Sequence, residues 1–282
     1  MLSASTVDPA LILVLAWVAV VYIRADRRAR RTPAERGALR THRAWFLAGL
    51  ATTLAALQGP IEAGAAGSFS IHMIQHLLLT MVAAPLLVLA APVTLAFKLS
   101  SRPTRLRLRS LLRSRPVRLL SNPLVAWTLF FGVLWGSHVT GLYEATLRSP
   151  GLHALEHLAY LTSAVLFWMP VVGRDPAPSR LSYPARILYL FFAMASMAFL
   201  GLAIFSATHV LYPAYAAVEG TGRALADQQS GGALMWVGGM VFIVPALAFV
   251  LLDWMRADER EARRVDERLL EPSTTSAGGA QA

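Results

Sequence analysis

The sequence predicts an all-α, polytopic membrane protein: a bundle of seven transmembrane helices with its N-terminus outside and its C-terminus in the cytoplasm. Three observations carry that prediction. The 282 residues are 56% hydrophobic and only 15% charged, less charge than a soluble domain of this length carries. Apolar runs recur along the chain, each near the length that crosses a hydrocarbon layer about 30 Å thick. The loops between the runs alternate between basic and nearly uncharged, which is the positive-inside pattern.

The runs fall at about residues 9 to 23, 44 to 58, 69 to 97, 124 to 143, 152 to 172, 184 to 209 and 231 to 252. A backbone in lipid must satisfy its own hydrogen bonds, so each is expected to be a helix. The first opens with Pro9 after Asp8, and its basic cluster follows it, the reverse of a signal peptide's order. The first loop holds Arg24, Arg27, Arg28, Arg30, Arg31, Arg36, Arg40 and Arg43 against Asp26 and Glu35. The second has Glu62 alone. The third holds Lys98, Arg102, Arg105, Arg107, Arg109, Arg113, Arg115 and Arg118 with no acid. The fourth has Glu144 and Arg148. The fifth holds Arg174, Arg180 and Arg186 against Asp175, and the sixth has Glu219, Arg223 and Asp227. The odd loops are therefore assigned to the cytoplasm.

The division expected is a membrane domain over 1–258 and a cytoplasmic tail over 259–282. Residues 253 to 271 are read as a helical extension of the last span and 272 to 282 as disordered. Arg105 to Leu120 alternates Arg with Leu and Val. It reads either as a basic loop or as an amphipathic helix on the inner surface, with Pro103 and Pro116 limiting its length. The net charge of +10 sits in these loops, so anionic lipid rather than nucleic acid is its expected partner. There is no Cys, which excludes disulfides, thiolate metal sites and Cys nucleophiles.

Of the seven histidines, His42 lies in a basic loop. The pairs His72/His76 and His153/His157 sit near the starts of spans that run inward, and His138 and His209 near the finishes of spans that run outward. All of these fall at one outer level. Each pair has i,i+4 spacing and shares a helix face. Such a ring offers neutral nitrogen ligands to copper, zinc or iron, with copper the tightest divalent ion. Glu156, in an apolar segment, is a candidate ligand, acceptor or proton carrier. Asp227, Gln228 and Gln229 precede the last span with Ser230, Gly231 and Gly232. They read as a cap and tight turn, or as a rim over the histidines. Most methionines read as packing; Met73 alone lies beside a histidine pair in sequence. The string His153-Ala-Leu-Glu156-His157 also matches a zinc-protease motif, but the same spacing recurs at His72 and His76 without the acid.

These strings resemble the CtaG family of cytochrome c oxidase assembly factors, the type associated with caa3 oxidases. The resemblance rests on His72-x-x-Gln75-His76-Leu77 with Ala84-Pro85-Leu86 and Ala91-Pro92, and on His138 ahead of Gly141-Leu142-Tyr143. His153-x-x-Glu156-His157 with Phe167-Trp168-x-Pro170 adds to it, as do His209, Tyr212-Pro213-x-Tyr215 and Asp227-Gln228-Gln229-x-Gly231-Gly232. It implies a multi-span protein of the plasma membrane that handles copper on the outer side, taking it from an extracytoplasmic donor and passing it to an oxidase subunit. The metal residues expected are His72, His76, His138, His153, His157, His209, Glu156 and Asp227, with no chemistry on a substrate. The rivals are a metal-ion transporter, a haem or metal redox protein, and a scaffold without metal.

Overall fold

The computed structural model describes residues 7–29, 33–176 and 180–270; over 33–39, at 219 and over 268–270 only the backbone is described. Arg30 and Arg31 of the first loop and the tail expected to be disordered lie outside these residues. Every regular element among them is helical. Five helices are long and apolar enough to cross a membrane: Pro9–Ala29, Phe69–Leu99, Pro150–Val172, Tyr183–Phe205 and Thr221–Glu267. The pair Arg40–Leu57 and Gly59–Ala65, bent by 42°, raises the number to six, and Pro123–Val139 is a shorter apolar helix. The protein is thus an all-helical membrane protein, and each predicted run coincides with one of these segments.

Helix α1 (Pro9–Ala29) starts where Asp8 accepts a hydrogen bond from the Ala10 amide at 2.9 Å. It turns Leu13 and Trp17 outward, 70% and 67% exposed, which suits a face in contact with lipid. Its inner face stacks Tyr22 on Phe46 of α2 (Pro33–Leu57), with ring centroids 3.8 Å apart. Helix α3 (Gly59–Ala65) follows the bend, which Gly59 makes possible with φ of 69°.

The third run is one predicted span but not one helix. Helix α4 (Phe69–Leu77) passes into a π-helical stretch (Leu78–Ala83), then α5 (Ala84–Leu89) and α6 (Pro92–Leu99). Proline explains both interruptions. Pro85 has no amide hydrogen to donate and would crowd the preceding turn of an α-helix. The chain widens there: the Ala84 amide donates to Leu79 rather than to Thr80. The freed Thr80 carbonyl accepts from the Trp168 indole at 2.9 Å. At Ala91, φ is 49° and Pro92 restarts the helix. Here the Ala90 carbonyl accepts from the Tyr22 hydroxyl at 2.8 Å. The Val93 and Thr94 amides donate to Asp175 at 3.1 and 2.6 Å. The partners are Trp168 of α11, Tyr22 of α1 and Asp175 in the connection that follows α11, so these backbone groups are satisfied as an apolar surrounding requires.

The basic segment forms two short exposed helices, α7 (Arg102–Leu112) and α8 (Arg115–Leu120), each opened by the proline at its second position. Beyond them lie α9 (Pro123–Val139), capped by Asn122, the short α10 (Leu142–Thr146), α11 (Pro150–Val172), α12 (Tyr183–Phe205), α13 (Pro213–Glu219) and α14 (Thr221–Leu270). At about 1.5 Å per residue, α14 is roughly 75 Å long, so the apolar span and the mixed-charge extension are one continuous rod.

Two sequence expectations about α14 change. Gly231 and Gly232 do not form a turn before the span; α14 starts ten residues earlier, at Thr221, and they lie within it. They are there for close packing. A Cβ at Gly232 would sit 2.5 Å from the Phe205 amide nitrogen, and one at Gly201 would sit 2.7 Å from the Gly232 carbonyl. Small residues let α12 and α14 touch backbone to backbone. Nor does Asp227 cap α14; it caps α4, as described below. The sixth span also ends at Phe205, before His209, because the carbonyls of Ala207 and His209 are drawn to Gln229 and Gln228 of α14 at 3.1 and 3.2 Å.

Candidate metal centre

The site is built where α4, α9 and α11 bring the histidine-bearing turns to one level. Asp227 fixes the start of α4: it accepts from the Ser70 amide at 3.2 Å and from the hydroxyls of Ser68 and Ser70. His72 follows on the first turn of α4 and His76 one turn further. Ser149 caps α11, so His153 and His157 occupy its first two turns. His138 lies in the last turn of α9.

The two pairs face each other. Ring centroids are 4.5 Å apart for His72 and His76 and 4.2 Å for His153 and His157. Across the helices they are 5.1 Å for His72 and His153, and 5.6 Å for His76 and His157. His138 stands 6.5 Å from His76. Candidate ligand atoms of His72, His153 and His157 lie within 4.8 Å of one another, and so do those of His72, His76 and Glu156. His72 belongs to both groups.

Hydrogen bonds aim the rings. The His138 Nδ1 lies 2.8 Å from the Leu134 carbonyl, which can only accept, so Nδ1 carries the proton and Nε2 a lone pair. The Tyr215 hydroxyl donates to the Ala65 carbonyl at 3.1 Å and lies 3.1 Å from His72 Nδ1. That arrangement places the His72 proton on Nδ1 and again leaves Nε2 for the cavity. Tyr143 reaches the same hydroxyl at 2.9 Å. Burial pushes both phenols up, so they stay neutral hydrogen-bonding groups.

The Nε2 atoms of His72, His76, His138, His153 and His157 are all buried without a hydrogen-bond partner, as are both carboxylate oxygens of Glu156. The Thr146 hydroxyl lies alongside Glu156 but donates to the Tyr143 carbonyl at 2.7 Å. A buried polar atom left unpaired costs about 1–3 kcal/mol, so so many in one place call for a guest. The donor set, neutral imidazole nitrogens beside one carboxylate, fits a transition-metal ion.

Two expected site residues stand apart from this convergence. The His209 side chain is exposed, in the connection after α12. Asp227 is committed to the start of α4, a turn before His72, and is in neither ligand group. Conversely, the structure adds residues the sequence did not single out. Glu62 lies 3.9 Å from His153 and is held by Gln75, whose amide also donates to the Ala56 carbonyl at 2.9 Å. It is the one acid of an otherwise uncharged loop, and that was its signal. Tyr160 packs on His76 at 4.1 Å; three residues after His157, it shares that helix face.

Among known proteins, the chain is 31% identical over 233 residues to uncharacterised proteins of Mycobacterium bovis and Mycobacterium tuberculosis, covering 79% of this chain and 35% of each relative. A Mycobacterium leprae protein is 30% identical over 239 residues, again covering 79% of this chain and 35% of the relative. The chain thus spans about a third of the length of the curated relatives it matches. No solved structure matches it. The family model described as cytochrome c oxidase caa3 assembly factor matches residues 20–257, most of the chain, and this protein belongs to that family.

Proposed function

We propose that the protein handles copper for oxidase assembly: it holds the ion as cargo at the histidine cluster and passes it to a cytochrome c oxidase subunit that contains a copper centre. The observation that carries this reading is the set of buried, partnerless Nε2 atoms converging from α4, α9 and α11. His72, His76, His153 and His157 would hold the ion, with Glu156 supplying negative charge beside it. His138 would stand behind His76. Two ligand groups that share His72 suit a cargo that changes ligands stepwise. Glu62, part-exposed and next to His153, would receive the cation from an extracytoplasmic donor.

The same reading takes each of the seven apolar segments as a span of the plasma membrane, with the N-terminus outside and the C-terminus cytoplasmic. The arginine-rich end of α1 and Lys98 at the end of α6, with the arginines of α7 and α8, support it. At that end Lys98, Arg105, Arg109, Arg113 and Arg118 line an open basin of about 950 Å³, a surface suited to anionic lipid. His42 is the sole histidine there, which favours transfer at one face over transport across the membrane.

The test is copper stoichiometry of the full chain purified in nanodiscs, with anomalous scattering at the copper edge. Loaded with Cu(II), the natural protein should bind the ion and a His72→Ala/His157→Ala variant should not. Copper bound equally by both would overturn the assignment.

A further inference from the structure

Below the cluster, away from Glu62, a small void of about 20 Å³ lies between α4, α9, α11, α12 and α14. His76 and His138 form its upper wall, and Met73, Met197 and Met235 line it from three different helices. All three methionines are buried, at 0%, 3% and 3% exposure. We propose that this void is a second metal site, selective for Cu(I), and that it takes the ion, already as Cu(I), from the histidine cluster above with no change of oxidation state. The proposal rests on the copper-handling reading.

The donor chemistry is the first argument. Thioether sulfur is a soft ligand that selects Cu(I), whereas imidazole alone accepts Cu(II), Zn and Fe as well. The cluster above combines imidazoles with a carboxylate and discriminates little; the void combines imidazole with thioether and excludes carboxylate. The second argument is the unfilled space. Methionine is the side chain that most readily fills irregular gaps. Here three of them surround a gap that stays open beside partnerless imidazole nitrogens. A void of this size admits a single small guest.

The third argument is continuity. Both ring nitrogens of His76 are buried without partners. The residue belongs to the group with His72 and Glu156 and also lines the void. Neither nitrogen is committed to a hydrogen bond, so the neutral ring can carry its proton on either one and present its single lone pair to either site. His138 is held by the Leu134 carbonyl, so its Nε2 is the donor it can offer. Leu77, Phe130 and Leu134 add apolar surface to the wall, and Thr80 and Tyr160 line the rest.

The test uses the full chain in nanodiscs, loaded anaerobically with Cu(I) and examined by X-ray absorption and by competition with a Cu(I) chelator. The natural protein should show a copper–sulfur shell. Met73→Leu/Met197→Leu/Met235→Leu, which conserves volume, should lose that shell and weaken Cu(I) binding about tenfold or more. Cu(II) bound at the histidine cluster should be unchanged. Met81→Leu, a buried methionine away from the void, should keep the sulfur shell. Copper bound with nitrogen and oxygen neighbours alone, or a sulfur shell that survives the triple substitution, would overturn this proposal and leave the histidine site standing. No copper bound under any condition would overturn both.

Discussion

The two ends of the bundle carry the polar residues in opposite ways. At the arginine end, Arg105, Arg109, Arg113 and Arg118 project from two short helices with no buried residue between them. At the histidine end, imidazoles from α4, α9 and α11 are turned inward, and His72, His76, His138 and His157 are all buried. The first arrangement needs only local sequence: a basic run with a proline at each helix start. The second needs three helices held in register by Asp227 on α4, Trp168 on the π-helical turn, and Tyr215 on His72. A polar surface solvated by water or lipid headgroups tolerates imprecision. A buried polar cluster does not, because each atom that misses its partner is costly.

That contrast can be broken, and the largest effect should come from the histidines. His72→Ala/His157→Ala removes a member of each ligand group, so Cu(II) bound at the histidine cluster should fall to near zero while circular dichroism stays helical. Next is the packing that positions the histidine half. Gly232→Val forces a side chain into the Phe205 backbone, and overpacking of a tight contact costs about 1–3 kcal/mol. The yield of monodisperse protein should fall and its melting temperature drop.

A smaller effect should follow Tyr215→Phe, which leaves the ring but removes the hydroxyl from His72 Nδ1 and Ala65. Loss of such a supporting hydrogen bond typically weakens metal binding by about 10–100-fold, and chelator competition would measure it. The smallest should be Arg109→Gln/Arg113→Gln. Stability should move by less than about 0.5 kcal/mol, and copper stoichiometry should be unchanged. Retention of anionic phospholipid, read by mass spectrometry of the purified protein, should fall. A metal defect in that variant would mean that the two ends are not independent.

How far the sequence reached differs by region. The helical class and the apolar segments were legible because hydrophobic length and charge alternation are local properties. The shared level of His72, His76, His138, His153 and His157 was legible too, from i,i+4 spacing combined with alternating span direction. His209 was misplaced relative to a helix end because Gln228 and Gln229, distant in sequence, hold its connection. Gly231 and Gly232 looked like turn residues, but their neighbour is another helix's backbone, which no local pattern announces. Glu62 was visible only as a charge; its place beside His153 depends on the bend at Gly59 and on Gln75. The methionines of the void come from α4, α12 and α14, so no sequence window contains them.

Sequence alone thus settled what each segment is and which of its polar residues share a level, since length, hydropathy and helical spacing are properties of the segment itself. The facing of the two histidine pairs, the orientation of their nitrogens and the gap beneath them were decided by helix packing. Rotation of a helix about its own axis is set by the side chains and carbonyls it meets, and those belong to other helices.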